Sequence, residues 1–202
     1  MSQVLDGIAS HARLTPDAVA LSGPSGAFSY AELDAAVART AVSLAALAPA
    51  MRPGAPVAVV LDNTVTWALV DLALMRLGRP SLPIPAFFTA EQRAHALADA
   101  GAAILLGPQE GPLRVEIEGM PVAAQILDSP PVALPAGTAK ITYTSGSTGR
   151  PKGVCLSIAQ MEAVAVSLVQ MVGSDAARRH MPILPFSILL ANGAGQYAPL
   201  LN

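Results

Sequence analysis

Apolar positions from Val4 to Leu14 recur every three or four residues, a helical period, and Thr15-Pro16 stops that helix before a short strand over Val19–Leu21. A turn is expected over Gly23–Gly26. Phe28-Ser29-Tyr30 then leads into an alanine-rich helix over Ala31–Ala48, with Glu32 and Asp34 near its amino end, where the helix dipole favours negative charge. Pro49 to Pro56 reads as a linker. Val57–Leu61 is continuously apolar, as strands buried on both faces are, and Asn63 or Thr64 is placed to cap a helix that runs to Leu77 and ends at Gly78. A short strand over Ser81–Ile84, a helix from a Thr89 cap to Ala100 and a strand over Ala103–Leu106 follow.

Alternating strands and helices of this kind predict an α/β fold: a mainly parallel sheet with helices on both faces, joined by right-handed crossovers. Gly107 to Gly137 is the least regular stretch, with short strands expected at Val115–Ile117 and Ala124–Leu127 and a proline-rich connection over Ser129–Pro135. From Ala139 the grammar resumes. A strand runs to Thr144, a glycine-rich loop follows, then a strand over Gly153–Leu156, a helix over Ile158–Val172, a strand over Met181–Leu184 and a helix from about Ser187.

Composition sharpens this reading. The chain is 52% hydrophobic and 13% charged, against a charged share of about 25% in soluble domains. Such a chain either enters a membrane or leaves apolar faces for something else to cover. The longest uncharged run, Met181–Asn202, is broken by Pro182, Pro185, Asn192, Gly193 and Pro199, which excludes a membrane span. The first residues lack a basic start followed by an apolar core, so no signal peptide is expected and a cytoplasmic location follows. An apolar helical pattern runs up to Asn202, from which we expect a longer native chain and self-association of this one.

A net charge of -2 provides no basic field for nucleic acid. The single cysteine, Cys155, excludes an internal disulfide and is expected to be a buried, inert thiol. His11, His95 and His180 lie on separate segments without ligand spacing, so no metal site is expected and packing or surface roles are assigned to them. Trp67, among Leu69, Val70 and Leu72, is expected in the core.

The chemistry concentrates in Tyr143-Thr144-Ser145-Gly146-Ser147-Thr148-Gly149-Arg150-Pro151-Lys152-Gly153, just after a predicted strand. Glycines let backbone N–H groups form an anion-binding concavity, hydroxyls donate to phosphate oxygens, and Lys152 adds a compact positive charge. A plain hairpin connection explains the same composition. The pattern G-x-x-x-x-G-K-[ST] fails from Gly146 onward, because Pro151 stands where the second glycine belongs and Gly153 where the magnesium-binding hydroxyl belongs. The dinucleotide fingerprint fails too, since Gly146, Gly149 and Gly153 have other spacings.

The run from Ile141 to Val154 nonetheless resembles, nearly residue for residue, the phosphate-loop signature of the adenylate-forming (AMP-binding) superfamily: acyl-CoA synthetases, nonribosomal-peptide adenylation domains and firefly-type luciferases. Phe28 to Leu33 resembles that family's "TYxEL" segment, and Ala73–Gly78 with Pro83-Ile84-Pro85 its "lalxxaGaxxvPl" segment. The resemblance implies that residues 1–202 are the amino-terminal portion of an adenylation domain, without its carboxy-terminal portion. It implies an acid:thiol ligase that uses ATP and Mg2+ to convert a carboxylic acid to an acyl adenylate and passes the acyl group to coenzyme A or a carrier protein. Thr144, Ser145, Gly146, Ser147, Thr148 and Gly149 would then wrap the β- and γ-phosphates with Lys152 assisting, while Arg150 and Pro151 shape the loop. The family's later elements, among them its catalytic lysine, have no counterpart here, so no catalytic residue is assigned and this chain alone is expected to be inactive.

Pro182–Gly193 stands where relatives carry an acid-pocket run "LPLxHxxG"; the histidine is absent, and the replacement resembles "LPLxxLLEN" runs associated with long acyl chains. A fatty or other apolar acid is the substrate this implies. A helix packed in the core explains the same residues. Two further readings stay open: a non-catalytic nucleotide-binding or interaction domain that retains the loop, and a half-domain completed by a partner chain.

Overall fold

The alternation of strands and helices builds a seven-stranded sheet and a separate two-stranded hairpin. The computed structural model describes residues 2–24, 26–48, 51–107, 111–144, 150–173 and 180–201. In chain order the elements are α1 (Gln3–Leu14), β1 (Val19–Gly23), β2 (Gly26–Ser29), α2 (Tyr30–Ala45), β3 (Val57–Val59), α3 (Val65–Arg76), β4 (Ser81–Pro83), α4 (Ala90–Asp99), β5 (Ile104–Leu106), β6 (Leu113–Ile117), β7 (Met120–Ile126), β8 (Thr138–Thr144), β9 (Lys152–Ser157), α5 (Ile158–Val172), α6 (Leu189–Asn192) and α7 (Ala198–Leu201), with a π-helical turn over Gly193–Tyr197 between the last two.

The large sheet has the order β6-β7-β5-β3-β4-β8-β9. Its centre, β5-β3-β4-β8, is parallel, as the strand–helix alternation predicts. Antiparallel partners flank that centre, with β7 and β6 on one side and β9 on the other. The sheet is therefore mixed; in the consecutive pairs β6–β7 and β8–β9 the connection leaves no room for the crossover that parallel pairing requires. Glu118 and Gly119 link β6 to β7 with φ of 46° and 79°, the signature of a tight hairpin turn. Arg39 holds Glu118 in this unusual conformation with two bonds, at 2.9 and 2.7 Å.

Side chains alternate across the sheet. Val57, Val59, Ile104 and Leu106 face a large core shared with α1, α2, α3 and α5. Ala58, Leu82, Leu105 and Ile141 face a smaller core beneath α4, which contributes Ala96. Helix α3 has no polar stripe, and residues 67–74 are all buried, as in a helix enclosed on every side. Three helices start with reciprocal capping boxes, Ser29 with Glu32, Thr89 with Gln92 and Ser157 with Gln160, each satisfying two otherwise orphaned backbone donors. No helix among the described residues is long and apolar enough to cross a membrane.

Several local expectations differ from the structure. Helix α2 begins at Tyr30, behind its Ser29 cap, and ends at Ala45. Thr64 occupies the cap of α3 but makes no side-chain cap bond, and Asn63 is engaged elsewhere. Cys155 is half-buried rather than buried. No strand forms over residues 181–184. Pro182 supplies no N–H there, and Asn63 captures the Leu184 carbonyl and the Phe186 N–H that sheet pairing would use. The following helix accordingly starts at Leu189.

Candidate functional site

The run singled out in the sequence is the connection of the β8–β9 hairpin. Its register pairs Ile141 with Cys155, Thr142 with Val154, Tyr143 with Gly153 and Thr144 with Lys152. Residues directly opposite each other in an antiparallel pair lie on the same face. Thr144 and Lys152 therefore stand together at the mouth of the turn, both exposed. The other five predicted phosphate-binding residues, Ser145, Gly146, Ser147, Thr148 and Gly149, lie outside the described residues. Strand periodicity puts Lys140, Thr142 and Thr144 on one face of β8, and Ile141 and Tyr143 on the face towards α4.

Helix α4 braces both stems of this turn. The Tyr143 hydroxyl donates to Asp99 at 2.6 Å. One helical turn earlier, His95 Nε2 lies 3.1 Å from the Pro151 carbonyl; a carbonyl only accepts, so Nε2 carries the hydrogen. The His95 and Tyr143 rings meet edge-to-face with centroids 6.3 Å apart. Gly153 makes room for this arrangement, since a Cβ there would sit 3.0 Å from Tyr143 Cζ and 3.1 Å from its Oη. Burial first, and then the bond to Asp99, push the Tyr143 hydroxyl far above its ordinary pKa of 10.0. Tyr143 thus stays a neutral donor.

Beneath the same strand lies a buried polar cluster. Lys140 and Asp71 are 2% and 3% exposed, and their Nζ···Oδ1 distance is 2.7 Å. Lys140 also donates to Asn192 Oδ1 at 2.6 Å and to the Tyr197 hydroxyl at 2.8 Å, so each of its three hydrogens has an acceptor. Asp71 Oδ2 accepts from Tyr197 at 2.6 Å and Asn192 Nδ2 at 3.1 Å. Asn192 also donates to Gln196, which donates in turn to the Ala68 carbonyl. Burial lowers the Lys140 pKa against the opposing pull of Asp71, and burial together with Asp71 raises that of Tyr197. A comparable contact secures the start of the chain, where buried Glu162 on α5 accepts from Ser2 Oγ and the Val4 N–H at the amino end of α1.

The segment leading into α6 packs against α3 through Phe186, which stacks on buried Trp67 with centroids 5.1 Å apart. Trp67 is a core residue, as expected. Ile183, Leu184 and Leu190 are 86%, 50% and 61% exposed, so a helix wholly packed in the core does not describe them. Two cavities, of about 200 and 650 Å3, border Val57 and Ile104 in one case and Ala55, Pro80 and Thr138 in the other. The larger lies at the starts of the parallel strands and the smaller between the sheet face and α2 and α3, whereas the turn lies at the strand ends, the side where open α/β sheets bind ligands.

Comparison with known proteins agrees with this geometry. The family model described as "AMP-binding enzyme" matches residues 8–202. The chain belongs to the AMP-binding enzyme family. It is 32% identical over 195 residues to phosphinothricin tripeptide synthetase PhsC of Streptomyces viridochromogenes, covering 88% of this chain and 18% of that protein. Similarity to a feruloyl-CoA synthase of Amycolatopsis is 34% over 159 residues, covering 72% and 31% respectively. Among solved structures, o-succinylbenzoate CoA synthetase of Bacillus subtilis with its acyl-adenylate intermediate superposes with a TM-score of 0.76 at 24% identity, over 97% of this chain and 53% of the other. The same enzyme is known in complex with ATP and magnesium ion, with a TM-score of 0.71 at 24% identity over 96% and 55% of the two chains. The chain thus spans about half of those structures and less than a third of these two relatives.

Within this AMP-binding chain, sequence reasoning missed the contacts that hold the turn. His95 was expected at the surface or in packing without a specific partner, and Asp99, Lys140, Asp71 and Asn192 were not singled out. A signal existed for two of them. Asp71 is the only charged residue in Val65–Met75, and Lys140 interrupts Ala139–Ile141 at the start of an apolar strand. Lone opposite charges in two apolar elements require each other when both elements are buried.

Proposed function

We propose that the chain carries the nucleotide-phosphate site of an enzyme that activates a carboxylic acid as an acyl adenylate and passes it to a thiol, of coenzyme A or of a carrier protein. The observation that supports this reading is the placement of Thr144 opposite Lys152 where the β8–β9 stems end, at the carboxyl ends of the parallel strands. An exposed hydroxyl donor and an exposed ammonium side by side suit a polyphosphate. Ser145, Gly146, Ser147, Thr148 and Gly149 would complete the cradle, with Lys152 assisting. Mg2+ would accompany the ATP. It would neutralise phosphate charge.

In the first step a carboxylate oxygen bonds to the α-phosphorus and the bond from that phosphorus to the bridging oxygen breaks, releasing pyrophosphate. In the second the thiolate sulfur bonds to the acyl carbon and AMP leaves. The chain's own share is to hold the phosphates and fix their orientation, which is how a largely electrostatic step is accelerated. The acid we infer is fatty or otherwise apolar, because Met181–Asn202 contains no charged side chain that would pair with an ammonium or second carboxylate. We place residues 1–202 as the amino-terminal portion of the adenylation domain and the enzyme in the cytoplasm, where ATP and coenzyme A are found. The chain by itself should form no acyl adenylate, and its exposed Val164, Met171, Val172 and Ile183 should drive self-association; a monomer in light scattering at high concentration would contradict the latter.

Acid-dependent ATP–pyrophosphate exchange, measured on the complete reading frame that contains this chain, tests the proposal. The panel runs from acetate to long fatty acids, with aryl and amino acids. Exchange with one class, lost in Thr144→Ala and Lys152→Ala, supports the reading and names the substrate type. Nucleotide binding without exchange for any acid would replace it with a non-catalytic nucleotide-binding domain.

A further inference from the structure

The cluster around Lys140 joins more of the molecule than one ion pair requires. Asp71 comes from α3, Ser81 from β4, Lys140 from β8, Asn192 from α6 and Tyr197 from the π-helical turn, and all are at most 3% exposed. Every hydrogen on Lys140 Nζ is taken and no solvent reaches it, so Lys140 cannot touch a substrate. Its effect must pass through the elements it holds.

Two features give that effect a direction. Lys140 lies on the same face of β8 as Thr144, four residues away, or about 13 Å at the rise of an extended strand. The other half of the cluster belongs to the segment that follows Phe186. There the chain leaves regular α-helix for one wide turn over Gly193–Tyr197, and Asn192 and Tyr197, at its two ends, both reach Lys140. Gly195 lets this turn press on Pro182, because a Cβ there would meet Pro182 Cβ at 2.7 Å. Apolar packing of small side chains tolerates a sliding helix, whereas directional bonds between buried charges and amides accept one register.

We propose that Lys140, Asp71, Asn192 and Tyr197 form a positioning lock that holds segment 186–201 in register with the strand leading to the phosphate turn, fixing where the acid meets the nucleotide. This rests on the proposed reading that the stretch Met181–Asn202 borders the acid site. Lys140 and Tyr197 are positioning residues, acting through the segment they fix.

Tyr197→Phe tests the lock by removing one hydroxyl and keeping the ring. Lys140→Met with Asp71→Leu, which leaves neither charge alone, serves as a second variant. Amide hydrogen exchange on this chain should rise about tenfold across residues 192–201 while β8 stays within about twofold of wild type. In the complete enzyme, KM for the acid should rise about fivefold or more, with KM for ATP within about twofold. Exchange that is unchanged, or faster by the same factor throughout the chain, would overturn the lock, as would a loosened segment with an unaltered acid KM. Should the wild-type enzyme activate no acid at all, the functional reading fails, and segmental hydrogen exchange alone decides whether the lock exists.

Discussion

The Tyr143 hydroxyl and Asp99 Oδ2, 2.6 Å apart, tie the last turn of α4 to the strand that ends in Thr144. The bond places a helix directly behind the stem of the turn. It also makes the position of that stem depend on a residue 44 positions away in sequence.

Tyr143→Phe keeps the ring and loses a bond to a charged acceptor, which should cost about 1.5–3 kcal/mol in urea melts at pH 8. The sign of its pH dependence follows from the raised pKa. The folded hydroxyl holds its proton above 10.0, while the unfolded chain releases it there, so Tyr143's contribution is fully present below about pH 10 and is lost as pH rises towards the folded value. Wild-type stability should consequently fall more steeply between pH 9 and 11 than that of Tyr143→Phe. Parallel slopes would sink this account.

His95→Ala removes the donor at the Pro151 carbonyl and the edge contact with Tyr143. The helix is otherwise untouched, since His95 is flanked by alanines on α4. Stability should drop by about 1 kcal/mol, and, on the function proposed above, KM for ATP in the complete protein should rise more than KM for the acid. A larger effect on the acid would show that α4 serves the other subsite.

Gly153→Ala drives a methyl group against a tyrosine that Asp99 holds in place. Overpacking of this kind costs about 1–3 kcal/mol. Combining it with Tyr143→Leu should recover part of that loss, and thermal melts of the three variants would test this; equal destabilisation in both backgrounds would rule out the tyrosine as the obstacle.

Thr40→Val should stabilise the chain. Thr40 is 1% exposed on α2, and its hydroxyl has no hydrogen-bond partner among the described residues. The isosteric methyl removes an uncompensated polar group, a gain of about 1 kcal/mol. A loss of stability in denaturant melts would reveal a partner for that hydroxyl.

Most of the architecture was legible along the chain because it rests on local physics. Continuous apolar triplets such as Ile104–Leu106 mark strands covered on both faces, and a capping residue such as Thr89 marks a helix start whatever lies around it. The glycine-rich connection between β8 and β9 was legible for the same reason, since its glycines, hydroxyls and lysine are consecutive. The expected strand over 181–184 failed because apolar content alone cannot say whether a neighbouring strand is free to pair, and Asn63, far away in sequence, had already taken its backbone groups.

What the sequence determined, then, was the order of elements, the core positions within them and the place of the turn, each a property of neighbouring residues. Only the tertiary structure decided that His95 and Asp99 brace that turn, and that Lys140, Asp71, Asn192 and Tyr197 share one buried cluster. Those contacts join residues between 44 and 126 positions apart. No local periodicity encodes such pairings; they arise when charges stranded in separate apolar elements are brought out of water together and must satisfy one another.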